Sequence, residues 1–383
     1  MIIEIRKAGF QNKGAELMLL AIVARLRATY PDAALCMVPS APHGSQPFRK
    51  MMSLGLYPKA SLVLAGIEWG NASRLIPAIL RRRYGLILDR EVDIVIDAAG
   101  FAYSDQWGVG PSQELARATK HWRRRGTKVI LMPQAFGPFE YPEIRKAIRS
   151  AVENADLVMP RDATSYRHLT EVTGERDYIR QYPDFTNLVE GVVPDDFDAS
   201  RFGVALVPNY RMIDKTSDVS GNSYVAFMKT CAQRLQELDA RPFMLVHEGE
   251  DDERLAQEIS GGAIPVVTEE DSLRLKGILG ASRAVVASRF HALVSALSQG
   301  VPAVATGWSH KYTELFSDYG IADGVMSVAD DADRIDMLME RLVEDESHDR
   351  MATQLGTESV RLKQLSQAMW SQVQSVIDSG GAH

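Results

Sequence analysis

Short apolar runs rich in β-branched residues alternate along this chain with longer segments of helical periodicity. Such alternation is typical of a parallel sheet with helices on both faces. The pattern breaks at the Pro- and Asp-rich stretch Val193–Asp198 and then starts again. The expected strands are Ile2–Ile5, Ala34–Val38, Ile94–Ile96, Lys128–Met132 and Leu157–Met159, then Gly203–Val207, Arg241–Val246, Ala263–Val267, Ala284–Ala287 and Ala303–Thr306. The sequence therefore predicts an α/β protein with two Rossmann-like, doubly wound domains facing across a cleft.

The length of 383 residues also favours two domains, because one hydrophobic core rarely serves so long a chain. We expect an N-terminal domain over residues 1–193, a C-terminal domain over residues 199–355, and a helix within residues 356–383 that packs back on the N-terminal domain. The two cysteines, Cys36 and Cys231, have no metal-ligand pattern near them. This predicts a reducing compartment, with neither a disulfide nor a zinc site.

The chain reaches Glu4 before any apolar run long enough for a signal peptide, and its longest apolar run, Leu17–Ala24, is less than half a membrane span. We therefore expect a cytoplasmic protein. The net charge of −7 disfavours nucleic acid as a partner. Residues 1–195 nevertheless carry 26 basic and 21 acidic side chains of the 43 and 50 in the whole chain.

One arginine triplet of this basic half, residues 81–83, lies in a stretch with many apolar side chains, from Leu75 to Leu88. Such a segment fits peripheral contact with an anionic inner-membrane surface. An ordinary solvated helix face is the simpler interpretation.

The most informative segment runs from Ala284 to Tyr312, AVVASRFHALVSALSQGVPAVATGWSHKY. A strand ends near Ser288 and a helix starts near His291, which places Arg289 and His291 in a first helical turn. Free backbone N–H groups and the helix dipole favour an anion there, and an arginine adds a bidentate fork. The loop after the next strand is expected to bring His310 and Lys311 to the same sheet edge. We therefore predict a site for a small phosphorylated molecule, although each residue alone has an ordinary structural explanation.

Other strand ends carry further candidates. Arg161 follows the strand Leu157–Met159, where it is either a ligand residue or the partner of a carboxylate. Glu16 lies one turn into the first helix, where it either transfers a proton or satisfies the helix dipole. The preceding turn lacks the spacing of a dinucleotide or Walker motif. Asn12, Asp105 and Gln134 are our candidates for binding the hydroxyl groups of a sugar that accepts the transferred group.

Several of these segments resemble the polysaccharide pyruvyl transferase family, whose architecture is that of GT-B glycosyltransferases. The similar segments are Asn12–Met18, Asp93–Gly100, Pro133–Pro138, Met159–Ser165, Ser288–Ala305 and His310–Tyr312. The most specific of them is the Arg-x-His helix start, followed by a lysine about twenty residues later.

The resemblance implies transfer of a pyruvyl group from phosphoenolpyruvate to a saccharide or lipid-linked oligosaccharide of a cell-surface polysaccharide, often as a ketal, with release of phosphate. It implies no metal and no cofactor besides this donor. The resemblance implies donor binding by Arg161, His291 and Lys311, and Arg289 belongs to the same motif as His291, so Arg161, Arg289 and Lys311 are our donor-binding candidates. Many members have an aspartate where this chain has Ala15. Either Glu16, which we favour, or His291 transfers the proton instead, or the acceptor chemistry differs from ketal formation.

Two other functions remain open. Gly300-Val301-Pro302 after a helix is also common in GT-B glycosyltransferases that use nucleotide sugars, although no acidic residue is placed after His291 to bind a ribose. A non-catalytic glycan-assembly protein is the third possibility. The acceptor sugar, the linkage and the oligomeric state are not indicated by the sequence.

Overall fold

The computed structural model describes residues 1–39, 45–60, 63–64, 67–68, 75–214, 218–307 and 310–379. The strands within these ranges are β1 Ile2–Arg6, β2 Ala34–Met37, β3 Tyr57–Pro58, β4 Val63–Leu64, β5 Ile67–Glu68, β6 Ile94–Asp97, β7 Lys128–Gln134, β8 Leu157–Pro160, β9 Val204–Val207, β10 Phe243–Val246, β11 Val266–Thr268, β12 Ala284–Ala287, β13 Ala303–Thr306 and β14 Val325–Met326. The helices are α1 Lys13–Thr29, α2 Ser45–Ser53, α3 Ala78–Arg83, α4 Val109–Arg123, α5 Pro142–Glu153, α6 Ala163–Thr173, α7 Arg211–Asp214, α8 Asp218–Glu237, α9 Gly249–Ser260, α10 Ser272–Ala281, α11 Phe290–Leu297, α12 His310–Asp318, α13 Ala332–Val343 and α14 Asp345–Asp378.

These strands form two parallel six-stranded sheets and a short antiparallel pair, β4 with β5. The first sheet has the order β3-β2-β1-β6-β7-β8 and the second β11-β10-β9-β12-β13-β14. Both orders read 3-2-1-4-5-6 along the chain, which is the Rossmann arrangement. The prediction of two doubly wound α/β sheets is confirmed.

The central strands of both sheets consist almost entirely of buried apolar residues. In the second sheet, β9, β10, β12 and β13 have no exposed position, because helices cover both faces. Each sheet also has a switch point, where the strand order reverses. It lies between β1 and β6 in the first sheet and between β9 and β12 in the second. Ligands of such sheets bind at the carboxyl ends of the strands at this point.

The chain divides into two compact units. The first comprises Met1–Gln11, Met18–Asp184 and the end of α14 from Gln367; the second comprises Asn12–Leu17 and Phe185–Ser366. The start of α1 thus counts with the second unit, apart from the rest of that helix. Cys36 and Cys231 are buried and free. Among the described residues, no helix is both long and apolar enough to cross a membrane.

Three local expectations were wrong. His310 and Lys311 begin helix α12 rather than lying in a loop, because Tyr312, Leu315 and Phe316 supply a buried helical stripe. Strand β11 starts at Val266 rather than at residue 263, since Pro265 has no N–H to donate to a neighbouring strand.

The third concerns the last helix, which was expected within residues 356–383 but spans Asp345–Asp378. The helix continues through Gly356, although a glycine inside a helix lowers helix stability by about 1 kcal/mol relative to alanine. The buried side chains of Met351, Leu355 and Leu362, which belong to the core of the second unit, offset that cost.

Candidate functional site

The switch point of the second sheet is held together by hydrogen bonds to Ser288, which follows β12. The Asn209 amide donates to the Ser288 carbonyl over 2.8 Å, and the Tyr312 hydroxyl donates to the same oxygen over 2.8 Å. The Tyr224 hydroxyl donates to Ser288 Oγ, also over 2.8 Å. These bonds fix the turn into α11, whose N-cap residue is Arg289.

The Arg289 guanidinium is bound by two carboxylates. Its Nε and Nη2 donate to Asp252 Oδ2 and Oδ1 over 2.9 and 2.6 Å, and its Nη1 donates to Glu248 Oε2. Burial alone would lower the pKa of Arg289, but Asp252 and Glu248 outweigh it and raise that pKa. These contacts use three of the five N–H groups that an arginine carries. Arg289 is therefore a fixed cation with a predetermined orientation.

Both carboxylates come from the segment after β10. Asp252 has no exposed side-chain surface and also accepts a hydrogen bond from the Tyr210 backbone N–H over 2.9 Å. Glu248 retains 23% of its side-chain exposure. Burial raises the pKa of both carboxyl groups above the ordinary value, against the lowering effect of Arg289.

The start of α1 contacts this arrangement through Asn12 and Gly14. Asn12 Oδ1 accepts from the Ala15 backbone N–H over 3.0 Å, while its Nδ2 donates to Glu248 Oε2 over 2.7 Å. Gly14 lies directly against the His291 ring, so that a Cβ at position 14 would be 2.0 Å from His291 Nδ1. Glycine is needed here because no other residue leaves space for the imidazole.

His247 completes the group, and it is almost fully buried. Among the described residues, nothing hydrogen-bonds to its Nδ1. Burial, together with the positive charges of Arg289, His291 and Lys13, lowers the pKa of His247 well below its usual value. His247 is therefore neutral at physiological pH. We refer to Asn12, His247, Glu248, Asp252, Arg289 and His291 together as the switch-point cluster.

Lys13 and Lys311 lie in the first turns of α1 and α12. Lys311 Nζ is 5.6 Å from the centre of the Phe290 ring and 5.2 Å from that of Tyr312. Lys13 Nζ donates to the Glu270 carbonyl and lies 3.5 Å from Glu16 Oε2. Glu16, a predicted catalytic residue, is thus buried beside a lysine.

The remaining predicted site residues belong to the first unit. Arg161 Nη1 lies 3.1 Å from Asp184 Oδ2, so the carboxylate pairing considered from the sequence is present. Gln134 is fully buried and its Nε2 is 3.5 Å from Asp97 Oδ1. Asp105 accepts from two backbone N–H groups after β7. Their roles in binding donor and acceptor stay predictions.

Sequence reasoning found Arg289 and His291 but missed His247, Glu248 and Asp252. The sequence does contain a signal for two of them, since His247 and Glu248 directly follow an apolar strand that ends at the same sheet edge as β12. In chemical terms, the cluster offers one fixed cation, Arg289, one neutral imidazole, that of His247, and one partly exposed carboxylate, that of Glu248. Within the described ranges, no group of three His, Cys, Asp or Glu residues could hold a metal ion.

A family model described as polysaccharide pyruvyl transferase matches residues 12–310, a range that contains the whole switch-point cluster. The chain belongs to the polysaccharide pyruvyl transferase family. Membership makes it an enzyme of the transferase class that acts in polysaccharide biosynthesis. No curated protein matches it.

Solved structures share the fold at low identity. A putative UDP-N-acetylglucosamine 2-epimerase from Listeria monocytogenes is 13% identical over 92% of this chain and 90% of its own, with a TM-score of 0.60. The UDP-GlcNAc 2-epimerase from Neisseria meningitidis, bound to UDP-GlcNAc, is 9% identical over 98% and 99%, with a TM-score of 0.60. HepE from Anabaena, in complex with UDP and glucose, is 11% identical over 98% and 99%, with a TM-score of 0.58. This pyruvyl transferase family member therefore has the two-domain α/β fold of GT-B type.

Proposed function

We propose that this family member transfers the pyruvyl group of phosphoenolpyruvate to a sugar of a cell-surface polysaccharide or its lipid-linked precursor, and releases phosphate. The observation that carries the proposal is the cation Arg289, held by two carboxylates at the start of α11 beside His291. Phosphoenolpyruvate carries a phosphate and a carboxylate. A fixed arginine, a helix N-terminus and Lys311 provide the positive charge that such an anion requires.

The reaction needs two hydroxyl groups of the acceptor. A proton added to C3 of the enol leaves a cationic centre at C2, and the first hydroxyl oxygen bonds to that centre. The second hydroxyl displaces phosphate and closes the ketal. One hydroxyl proton restores the acid that protonated C3, and the other leaves on the phosphate. Cations near the phosphate stabilise the charge that develops as the C2–O bond breaks.

We assign donor binding to Arg289, Lys311 and Arg161, and we keep His291 and Glu16 as the sequence-based candidates for proton transfer. The imidazole lies on Gly14 in the first turn of α1, which orients the ring without covering it by a side chain. Of the donor-binding candidates, Arg161 belongs to the first unit, and one of its guanidinium nitrogens pairs with Asp184.

The test is phosphate release from phosphoenolpyruvate in the presence of p-nitrophenyl hexosides of different configuration. We expect release only with a suitable acceptor, and a loss of at least about 100-fold in Lys311→Met, since a cation at the reacting group is worth that much. Lys229→Met is the matched control, because Lys229 is exposed on α8 of the same unit. Equal rates in the two variants would contradict the assignment of Lys311.

A GT-B glycosyltransferase that uses a nucleotide sugar is the second candidate, favoured by the UDP complexes of proteins with the same fold. The two candidates differ in the ligand that stabilises the protein. Phosphoenolpyruvate at 100 times its Kd should add about 2.7 kcal/mol to the free energy of unfolding. Stabilisation by UDP alone would favour the second candidate.

We further propose peripheral contact with an anionic membrane, where a lipid-linked acceptor would be located. Around α3, the side chains of Leu75, Ile79 and Tyr84 are 81%, 77% and 74% exposed. Arg82 and Arg83 are exposed beside them, whereas Arg81 is buried and paired with Glu91 at 2.8 Å. Apolar side chains flanked by exposed arginines fit the interface of an anionic bilayer.

A further inference from the structure

The two carboxylates on Arg289 differ in what they leave accessible. Asp252 has no exposed side-chain surface, is bound through both oxygens to Nε and Nη2, and also accepts the Tyr210 backbone N–H. Glu248 is partly exposed, and its Oε2 accepts from Nη1 and from Asn12. Asp252 therefore orients the guanidinium, whereas Glu248 lies on the side from which an anion can approach Arg289.

An anion that binds Nη1 competes directly with Glu248. The anion takes over the positive charge that compensates the carboxylate and places a second negative charge beside it. Both effects favour protonation of Glu248, because like charges disfavour the ionised form. The groups that act on Glu248 are Arg289, Asp252, Arg211 and Asn12, and burial already shifts its titration in the same direction.

From this geometry we infer that Glu248 is the general acid of the reaction and donates its proton to C3 of the bound donor. The inference rests on the proposed function. In this step the Glu248 O–H bond breaks, the electron pair of the C2–C3 double bond forms the new C3–H bond, and C2 becomes cationic. The first acceptor hydroxyl then adds to C2 and returns its proton to the Glu248 carboxylate.

Glu16 and His291 are the alternatives for this role. Glu16 Oε2 lies 3.5 Å from Lys13 Nζ, with which it forms an ion pair. His291 is in contact with Gly14 and remains suited to binding the phosphate. Glu248, by contrast, contacts the Arg289 guanidinium directly. A donor that binds Arg289 therefore changes the electrostatic environment of the Glu248 carboxyl group.

The experiment compares the wild type with Glu248→Gln, which keeps a carbonyl acceptor for Asn12 and Arg289 but cannot donate a carboxylic proton. Calorimetric titration with phosphoenolpyruvate in two buffers of different ionisation enthalpy measures proton uptake on binding. We expect the wild type to take up more protons than the variant, because only the wild type has a carboxylate at position 248 that a bound anion can cause to protonate. Affinity in the variant should be equal or higher, because a competing negative charge is gone.

Turnover is the second readout. We expect acceptor-dependent phosphate release to fall at least about 100-fold in Glu248→Gln, the usual contribution of a general acid. Glu250→Gln is the matched control, since Glu250 is exposed two residues away. Incorporation of deuterium from D2O into the pyruvyl methyl group should fall with turnover.

Three results would overturn the inference: unchanged turnover in Glu248→Gln, a loss of turnover in Glu16→Gln alone, or a joint loss of donor affinity and turnover in Glu248→Gln. The last would make Glu248 a positioning residue for Arg289. If Glu248→Gln does not fold, Glu248→Asp provides the test, because a shortened acid must lower turnover without lowering donor affinity. A wild type that binds phosphoenolpyruvate with the expected proton uptake but never releases phosphate would refute the proposed function separately.

Discussion

The contact between Gly14 and His291 gives a sharp prediction for Gly14→Ala. Alanine is the better helix former by about 0.5–1 kcal/mol, so the change should not destabilise α1. However, the new Cβ would lie 2.0 Å from His291 Nδ1. Non-bonded atoms pack at about 3.5 Å, so the ring must withdraw by about 1.5 Å. A displacement of this size at a reacting group costs about 100-fold in rate.

The assay is kcat/KM for acceptor-dependent phosphate release, with Tm measured on the same samples. Gly110→Ala is the matched control, because Gly110 is also the second residue of a helix but has no atom within 4 Å of its added Cβ. We expect Gly110→Ala to keep full activity and Gly14→Ala to lose about 100-fold in rate with little change in Tm. Equal activity of the two variants would refute the role assigned to the His291 ring position.

Three further predictions concern a buried amine, the neutral imidazole and the apolar surface at α3. Lys276→Met should lower the free energy of unfolding by about 2–3 kcal/mol in urea titration, because Lys276 Nζ donates to the buried Thr186 carbonyl over 2.8 Å. Wild-type stability should decline as pH falls below about 6.5, since unfolded His247 binds a proton there while the buried ring, with its lowered pKa, does not. That decline should be shallower in His247→Gln. The wild type should sediment with vesicles containing phosphatidylglycerol, and Leu75→Ser with Ile79→Ser should abolish sedimentation.

Each of these predictions has its own control. Lys229→Met, at an exposed position, should change stability by less than about 0.5 kcal/mol. A pH profile of His247→Gln that matches the wild type would show that another group causes the decline. Val192→Ser, which removes an exposed apolar side chain of the second unit, should sediment as the wild type does. Binding to neutral vesicles as strong as to anionic ones would contradict a role for the arginines.

The sheets were predictable because burial on both faces demands continuous apolar strands, a pattern visible at Ala284–Ala287 and Ala303–Thr306, which have the predicted bounds. Edge strands of two residues, such as β3 and β14, are too short to produce a pattern. Helix α12 was missed because three residues, Tyr312, Leu315 and Phe316, carry its whole apolar stripe.

The site was predictable only where chemistry and position coincide in one motif, as at Arg289 and His291. Glu248 and Asp252 resemble the acidic first turn of any helix, since Glu250 and Asp251 stand between them. Their pairing with Arg289 depends on the neighbouring positions of β9, β10 and β12 in the sheet. Strand order is set by packing over long sequence distances and is not encoded locally.

The division of the chain has a practical consequence for fragments of this protein. A C-terminal fragment that begins after Asp184 would retain Glu248, Asp252 and Arg289. It would lack Gly14 of α1 and Asn12, which directly precedes that helix. Its Glu248 would lose an amide donor, and its His291 would lose the surface against which the ring rests. A fusion that joins the peptide of residues 12–17 to residues 185–366 is therefore the smallest version of the second unit that keeps these contacts. A chimera made from two related enzymes would have to take that short peptide from the same parent as the C-terminal half.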